Sequence, residues 1–165
     1  MSKKFIGLIV LVFVLGLAQA SLAAWDPNTD PALIGWWKFD EGSGTAAADS
    51  SGKGNNATVY GGATWIAGFR GGGIDFDGVD DYVGTGKSLL NNAADFTMTG
   101  WVKARNATAS RIGLFGQNDL IEMGFMSGNV EVWTTAAGTV TTAYRFNDTG
   151  EWHHIAACWT QAELF

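Results

Sequence analysis

The most constraining feature of this sequence is a two-residue alternation of apolar and polar side chains. Phe96, Met98 and Val102 alternate with polar neighbours, and the run from Val140 to Phe146 repeats the pattern. No segment after residue 24 has a sustained apolar period of 3.6 residues, which a surface helix requires. The chain also has 23 Gly and 2 Pro, and turn signals such as Asp77-Gly78 separate about ten short runs. The sequence therefore predicts an all-β protein, an antiparallel sandwich of two stacked sheets.

The first 24 residues differ from the rest of the chain. Lys3 and Lys4 precede an unbroken apolar run from Phe5 to Ala18, and small residues follow it. This order is typical of a secretory signal peptide, although an uncleaved membrane anchor is the alternative because the run nearly reaches spanning length. We predict a signal peptide over 1–24, a linker over 25–32 and one domain over 33–165. The protein is then secreted or displayed at the cell surface, with membrane contact only through the export signal.

Charge and cysteine content exclude two classes of function. Ten Lys and Arg against 16 Asp and Glu give a net charge of −6, which argues against a nucleic-acid partner because phosphate contacts need clustered basic residues. A single cysteine, Cys158, excludes an internal disulfide and a CxxC zinc site. Cys158 lies in the apolar run from Trp152 to Thr160, so we expect it to be buried.

Four ordered blocks of sequence carry a resemblance to a known family. They read LIGWWKFDEGSGTAAADSSGKGNNATVYGGATW, GGIDFDGVDDYVGTG, DFTMTGWVKA and EWHHIAACW, between Leu33 and Trp159. Together they resemble the LamG-like jelly-roll domains of the concanavalin A-like lectin/glucanase superfamily, which implies a jelly-roll sandwich. Family members usually continue for several strands after the last block. The resemblance therefore implies that the C-terminal strands are missing and the chain is a fragment; a minimal domain is the alternative.

The loop from Asp40 to Asn56 is the first candidate site. It is rich in Gly and in Asp and Asn oxygens, which suit calcium, and the resemblance implies one calcium ion near this loop. Calcium is therefore the expected cofactor, with Asp40, Asp49 and Asn55 as candidate ligands. The alternative is turn chemistry, in which Asp and Asn side chains bond to nearby backbone groups.

A second acidic cluster contains Asp75, Asp77, Asp80 and Asp81. In a strand, Asp75 and Asp77 share one face, so their charges repel unless a cation or water separates them. We interpret this segment as a solvated strand face followed by a turn.

Two of the eight Trp residues are candidate ligand contacts, Trp101 and Trp133, because outward-facing aromatic rings can stack on sugars. Catalysis has little support: the paired-carboxylate Glu-x-Asp motif of related glucanases is absent, and Glu122 and Glu131 lie on separate predicted strands. We predict a secreted, non-catalytic module that binds carbohydrate or a surface glycoprotein with the assistance of calcium. The alternatives are a structural or adhesive module of a larger cell-surface protein, or a glucanase-type enzyme remnant.

Overall fold

A computed structural model describes residues 26–91, 93–108, 111–146 and 150–160, without the side chains of residues 143 and 144. The predicted signal peptide lies outside the described residues. Across the described ranges the protein contains eleven strands and no helix, and thus no helix that could span a bilayer. The predicted all-β class is confirmed.

The strands form four antiparallel sheets. Their bounds are β1 Ala46–Ala47, β2 Ala57–Tyr60, β3 Thr64–Ala67, β4 Gly72–Asp75, β5 Tyr82–Gly84, β6 Phe96–Val102, β7 Ile112–Gln117, β8 Ile121–Met126, β9 Asn129–Thr134, β10 Gly138–Arg145 and β11 His153–Trp159. The sheet orders are β1-β2-β5, β3-β4, β11-β6 and β10-β9-β8-β7. Hairpins therefore join most neighbours, whereas β6 and β11 pair over a long sequence separation.

The larger core lies between the β6-β11 pair and the four-stranded sheet. Alternate residues of each strand point inward, as the period-two pattern predicts. The buried members are Ala107, Met123, Phe125, Val130, Val132, Phe146, Ile155 and Ala157. Gly100 occupies an inward position on β6. A larger residue does not fit there, because a methyl group would lie 2.7 Å from the tip of the Phe115 ring. Two stacked sheets thus form the predicted sandwich.

A smaller core lies in the first half of the chain. Its buried apolar side chains are Ala47, Ala57 and Val59, and half-buried rings including Trp37 and Trp65 pack around them. This half therefore has less buried apolar surface than the second half.

Two local predictions were wrong. The apolar composition of Leu33 to Phe39 predicts a strand, but this segment instead makes an isolated bridge between Trp37 and Asp49. The positive φ of Phe39, 58°, ends its extended conformation. The short strand β1 instead lies inside the segment predicted as a loop. Hydrogen bonds from Asp49 and Ser50 of the loop hold the first apolar run at Trp36, and β1 forms by pairing with β2.

Cys158 is exposed rather than buried. It pairs with Thr97 across β6 and β11 on the outer face, and its sulfur accepts a hydrogen bond from the Thr97 hydroxyl at 3.4 Å. The apolar composition of the run did not reveal which face carries the cysteine, because small residues occupy both faces of β11.

Candidate functional site

Asp49 accepts hydrogen bonds from several parts of the segment between the first apolar run and β2. Its Oδ1 accepts hydrogen bonds from the backbone N–H groups of Trp36 at 3.0 Å and Ser51 at 2.8 Å, and its Oδ2 accepts one from Asn55 at 2.9 Å. Its own N–H donates to Asn56 Oδ1 at 3.0 Å. One carboxylate therefore connects the incoming chain to both sides of the loop.

These bonds alter the acidity of Asp49. Burial acts to raise the pKa of this carboxyl, but the hydrogen bonds from the Ser51 side chain and from the Trp36, Ser51 and Asn55 backbones outweigh it and lower the pKa from 3.8 to about 2. Donors that bond to the charged form favour that form. Asp49 is therefore a carboxylate at neutral pH.

The other two predicted calcium ligands are also engaged. Asp40 Oδ1 accepts a hydrogen bond from the Gly72 N–H at 2.7 Å. Asn55 Oδ1 accepts one from the Lys87 ammonium at 2.9 Å, and the same ammonium donates to Gly54 O at 3.0 Å. Lys87 thus places a positive charge against the carbonyl oxygens of the loop.

The arrangement of these oxygens is unfavourable for a calcium ion. Calcium needs six to eight oxygen ligands free to point at it, whereas oxygens of Asp40, Asp49 and Asn55 accept bonds from N–H donors, and the Lys87 ammonium repels a second cation. The geometry agrees with the alternative of turn chemistry. Calcium binding at these residues remains a prediction.

A groove of about 350 Å³ crosses the outer face of the four-stranded sheet. Gly113 and Gly124 pair directly across β7 and β8 and leave this part of its floor without side chains. Gly124 cannot carry a side chain, because a methyl group there would collide with the Ile112 carbonyl. The Trp133 ring, half-buried, lines the groove beside this floor.

Polar side chains surround the Trp133 ring. Glu122 lies directly opposite Trp133 on β8, and Thr139 lies opposite it on β10. Glu131 shares the outer face two residues before Trp133, and its carboxylate lies 3.5 Å from the Thr141 hydroxyl. The groove therefore places the aromatic residue Trp133 between hydrogen-bonding residues of β8 and β10.

Glu122 is held in its charged form. A hydrogen bond from the Asp119 N–H at 3.0 Å lowers the pKa of its carboxyl, burial opposes this, and the ion pair with Arg111 lowers it further. A general acid in glycoside hydrolysis needs the opposite, a raised pKa that keeps its proton. Glu122 is therefore suited to accept hydrogen bonds and unsuited to donate a proton.

Trp101 lies on the other side of the sandwich. It points outward from β6 and is 43% exposed; Phe69 stacks on its ring at 3.7 Å between centroids, and His154 approaches its edge at 5.2 Å. The structure thus does not bring Trp101 and Trp133 together, and the Phe69 ring covers one face of Trp101.

Sequence reasoning missed Lys87, Arg111 and Phe69. Each contacts a residue on another element of the fold. Lys87 bonds to Asn55, 32 residues away, and Phe69, on the hairpin between β3 and β4, stacks on Trp101. Arg111 pairs with Glu122 of β8. No local pattern marks them. The pair Gly113 and Gly124 gave a usable signal, since glycine inside a strand often marks a close backbone approach.

Comparison with known proteins agrees with this architecture. A search of the curated proteins found no match. Among solved structures, an S-layer domain-containing protein from Clostridium thermocellum is similar, with 24% identity and a TM-score of 0.56 over 79% of this chain and 69% of that one; at this identity the similarity shows the fold alone. A laminin G family model, described as Concanavalin A-like lectin/glucanases superfamily, matches residues 76–164, more than half of the chain. The chain belongs to that family.

Proposed function

We propose that this protein is a non-catalytic surface module that binds a carbohydrate chain in the groove of the four-stranded sheet. The observation that carries the proposal is the Trp133 ring beside a floor of two paired glycines, with Glu122 and Thr139 on either side. A flat backbone floor lets a sugar ring lie against the sheet, and an indole face stacks on its C–H groups.

The charges at the rim of the groove favour an uncharged carbohydrate as the ligand. Three carboxylates, those of Asp119, Glu122 and Glu131, face a single guanidinium from Arg111, which is already paired with Glu122. The excess negative charge disfavours sulfated or uronic-acid chains, whereas carboxylates accept hydrogen bonds from the hydroxyls of neutral sugars.

The charge state of Glu122 suits a binding role. A carboxylate fixed by Arg111 and by the Asp119 N–H is a preorganised acceptor for sugar hydroxyls. The superfamily includes enzymes as well as lectins, so the fold itself does not decide between them. The anionic Glu122 argues only against Glu122 as the general acid of a hydrolase, and it is compatible with the binding role.

We further propose that the module acts outside the cell. The predicted export signal at residues 1–24 supports this location, and a similar solved structure bears the name of an S-layer domain-containing protein. A carbohydrate or a glycosylated surface protein is then the expected partner. Calcium assistance remains part of the hypothesis to be tested, although the proposed groove needs no metal.

The test is retention on immobilised neutral and acidic polysaccharides, followed by Kd measurement on the best ligand. Trp133→Ala should weaken binding by about 2 kcal/mol, about thirtyfold in Kd, as expected for a central aromatic contact. Trp101→Ala is the matched control, because it removes the same side chain from the opposite face and should leave Kd unchanged. Each measurement is repeated with added calcium and with EDTA.

Two outcomes would refute the groove. If Trp101→Ala abolishes binding while Trp133→Ala does not, the sugar binds on the other sheet. If no polysaccharide is retained with or without calcium, the carbohydrate-binding function itself is wrong.

A further inference from the structure

An exposed pair of tyrosines lies on the small β1-β2-β5 sheet, away from the groove. Tyr60 of β2 and Tyr82 of β5 are directly opposite in register. Their rings stack with centroids 4.6 Å apart and planes within 15°, yet they remain 43% and 55% exposed. Both rings extend over Gly84, where a methyl group would lie 3.3 Å from the Tyr82 ring and 3.7 Å from that of Tyr60. The pair therefore leaves aromatic surface, on the ring faces that are not stacked together, open to solvent.

The loop before β5 extends this surface. Val79 is 84% exposed at its tip, and the carboxylates of Asp77, Asp80 and Asp81 lie within 4.8 Å of one another. The loop touches the tyrosine strand directly, since a methyl group on Gly61 would lie 2.6 Å from Asp81 Oδ1. We call Tyr60, Tyr82 and Val79 together with these three carboxylates the tyrosine patch.

The negative charge of the tyrosine patch is not neutralised by the described part of the chain. The ion pairs within the described residues involve Asp40, Asp75 and Glu122, and none involves the carboxylates of the tyrosine patch. Asp77 and Asp81 accept backbone hydrogen bonds within the loop, from Val79 and Asp77 respectively, and the exposed Asp80 accepts none among the described bonds. The acidic side chains therefore face solvent beside an exposed apolar surface.

We propose that the tyrosine patch docks an arginine-bearing segment of a partner protein. Charge complementarity requires a cationic occupant, and the aromatic pair selects among cations. A guanidinium is planar and weakly hydrated, so it can stack on a tyrosine face while its N–H groups reach the neighbouring carboxylates. An ammonium is strongly hydrated and offers no such plane. The inference is independent of the carbohydrate groove, which lies on a different sheet.

The test measures the Kd of a fluorescent hexa-arginine peptide, with hexa-lysine and hexa-citrulline peptides for comparison. Because the whole protein is acidic, the variants must separate the patch from general attraction. Tyr60→Ala with Tyr82→Ala should raise Kd about tenfold, whereas Tyr60→Phe with Tyr82→Phe keeps both rings and should stay within about twofold.

A second pair of variants tests the charge. Asp80→Asn should raise Kd about threefold to tenfold, and Asp26→Asn, which changes the net charge equally at an exposed site outside the patch, should leave it unchanged. Circular dichroism verifies that each variant is folded. The expected order of affinity is hexa-arginine, then hexa-lysine, with no binding of hexa-citrulline.

Several results would overturn the inference. Equal weakening by Asp80→Asn and Asp26→Asn would mean that only net charge attracts the peptide. Unchanged affinity in the double alanine variant would remove the tyrosines from the site. Binding of a chitosan oligomer in place of hexa-arginine would show an amino sugar as the ligand, and displacement of the peptide by calcium at equimolar concentration would show a metal site.

Discussion

Replacing Asp49 by Asn should weaken the fold and change its response to acid. The substitution keeps the shape of the side chain but removes its charge, and it leaves the Asn55 N–H without the Oδ2 acceptor that it has at 2.9 Å. Hydrogen bonds to charged groups contribute about 1.5–3 kcal/mol each. Some bonding to the amide oxygen survives, so we expect the free energy of unfolding to fall by about 2–3 kcal/mol.

The pH dependence follows from the pKa of Asp49. Folding lowers this pKa from 3.8 to about 2, which corresponds to about 2.4 kcal/mol at about 1.36 kcal/mol per pKa unit. Since the carboxylate is partly exposed, we expect about 1–2 kcal/mol after solvent screening. Because the pKa of Asp49 is lower in the folded state, the unfolded chain takes up the proton first as the pH falls. The stabilisation is therefore complete above about pH 5 and is lost progressively toward about pH 2.

The assay is urea unfolding at a series of pH values, followed by circular dichroism. The difference in unfolding free energy between wild type and Asp49→Asn should be largest near neutral pH and should shrink by about 1–2 kcal/mol at about pH 2. Glu151→Gln, at an exposed carboxylate, serves as the control for the loss of one negative charge. A pH-independent difference between wild type and Asp49→Asn would refute the account of Asp49 as a charged hub.

Three further predictions concern core packing, the loop cation and metal removal. Gly100→Ala should lower the unfolding free energy by about 1–3 kcal/mol, because the new methyl group would lie 2.7 Å from the Phe115 ring; thermal unfolding measures this, and an unchanged Tm would contradict it. Lys87→Met should cost about 0.5–1 kcal/mol by removing the ammonium from Gly54 O and Asn55 Oδ1. EDTA should leave the wild-type Tm unchanged; a fall in Tm would instead support calcium in the loop.

The second half of the fold could be predicted from sequence because its signal is local. The alternation in β6 predicts which residues face the core. Gly100 falls at an inward position, where Phe115 leaves no room for a methyl group. Each strand of the four-stranded sheet is joined to the next by a short turn, so that register follows from neighbouring residues. Sequence reasoning placed Trp133 correctly as an outward residue for the same reason.

The first half could not be predicted in this way because its organisation depends on distant polar contacts. The apolar run from Leu33 to Phe39 has the composition of a strand, yet the carboxylate of Asp49 and the backbone of Ser50 bond to it. The contact of Lys87 with Asn55, 32 residues away, leaves no trace in the local pattern. Predicting it requires the fold first, since the partners meet only when the sheets are assembled.

The contrast between the two cores explains why one loop carboxylate matters to the fold. The three buried residues of the smaller core, Ala47, Ala57 and Val59, have small side chains, whereas the larger core buries Phe125, Phe146 and Met123 among others. Hydrophobic stabilisation scales with buried apolar area, so the first half gains less from burial. Asp49 compensates with directional bonds from three backbone N–H groups, one of which fixes the incoming chain at Trp36. The carboxylates of Asp40 and Asp49, which the resemblance offers to a metal, are therefore also the groups that this half of the protein uses to hold its own backbone.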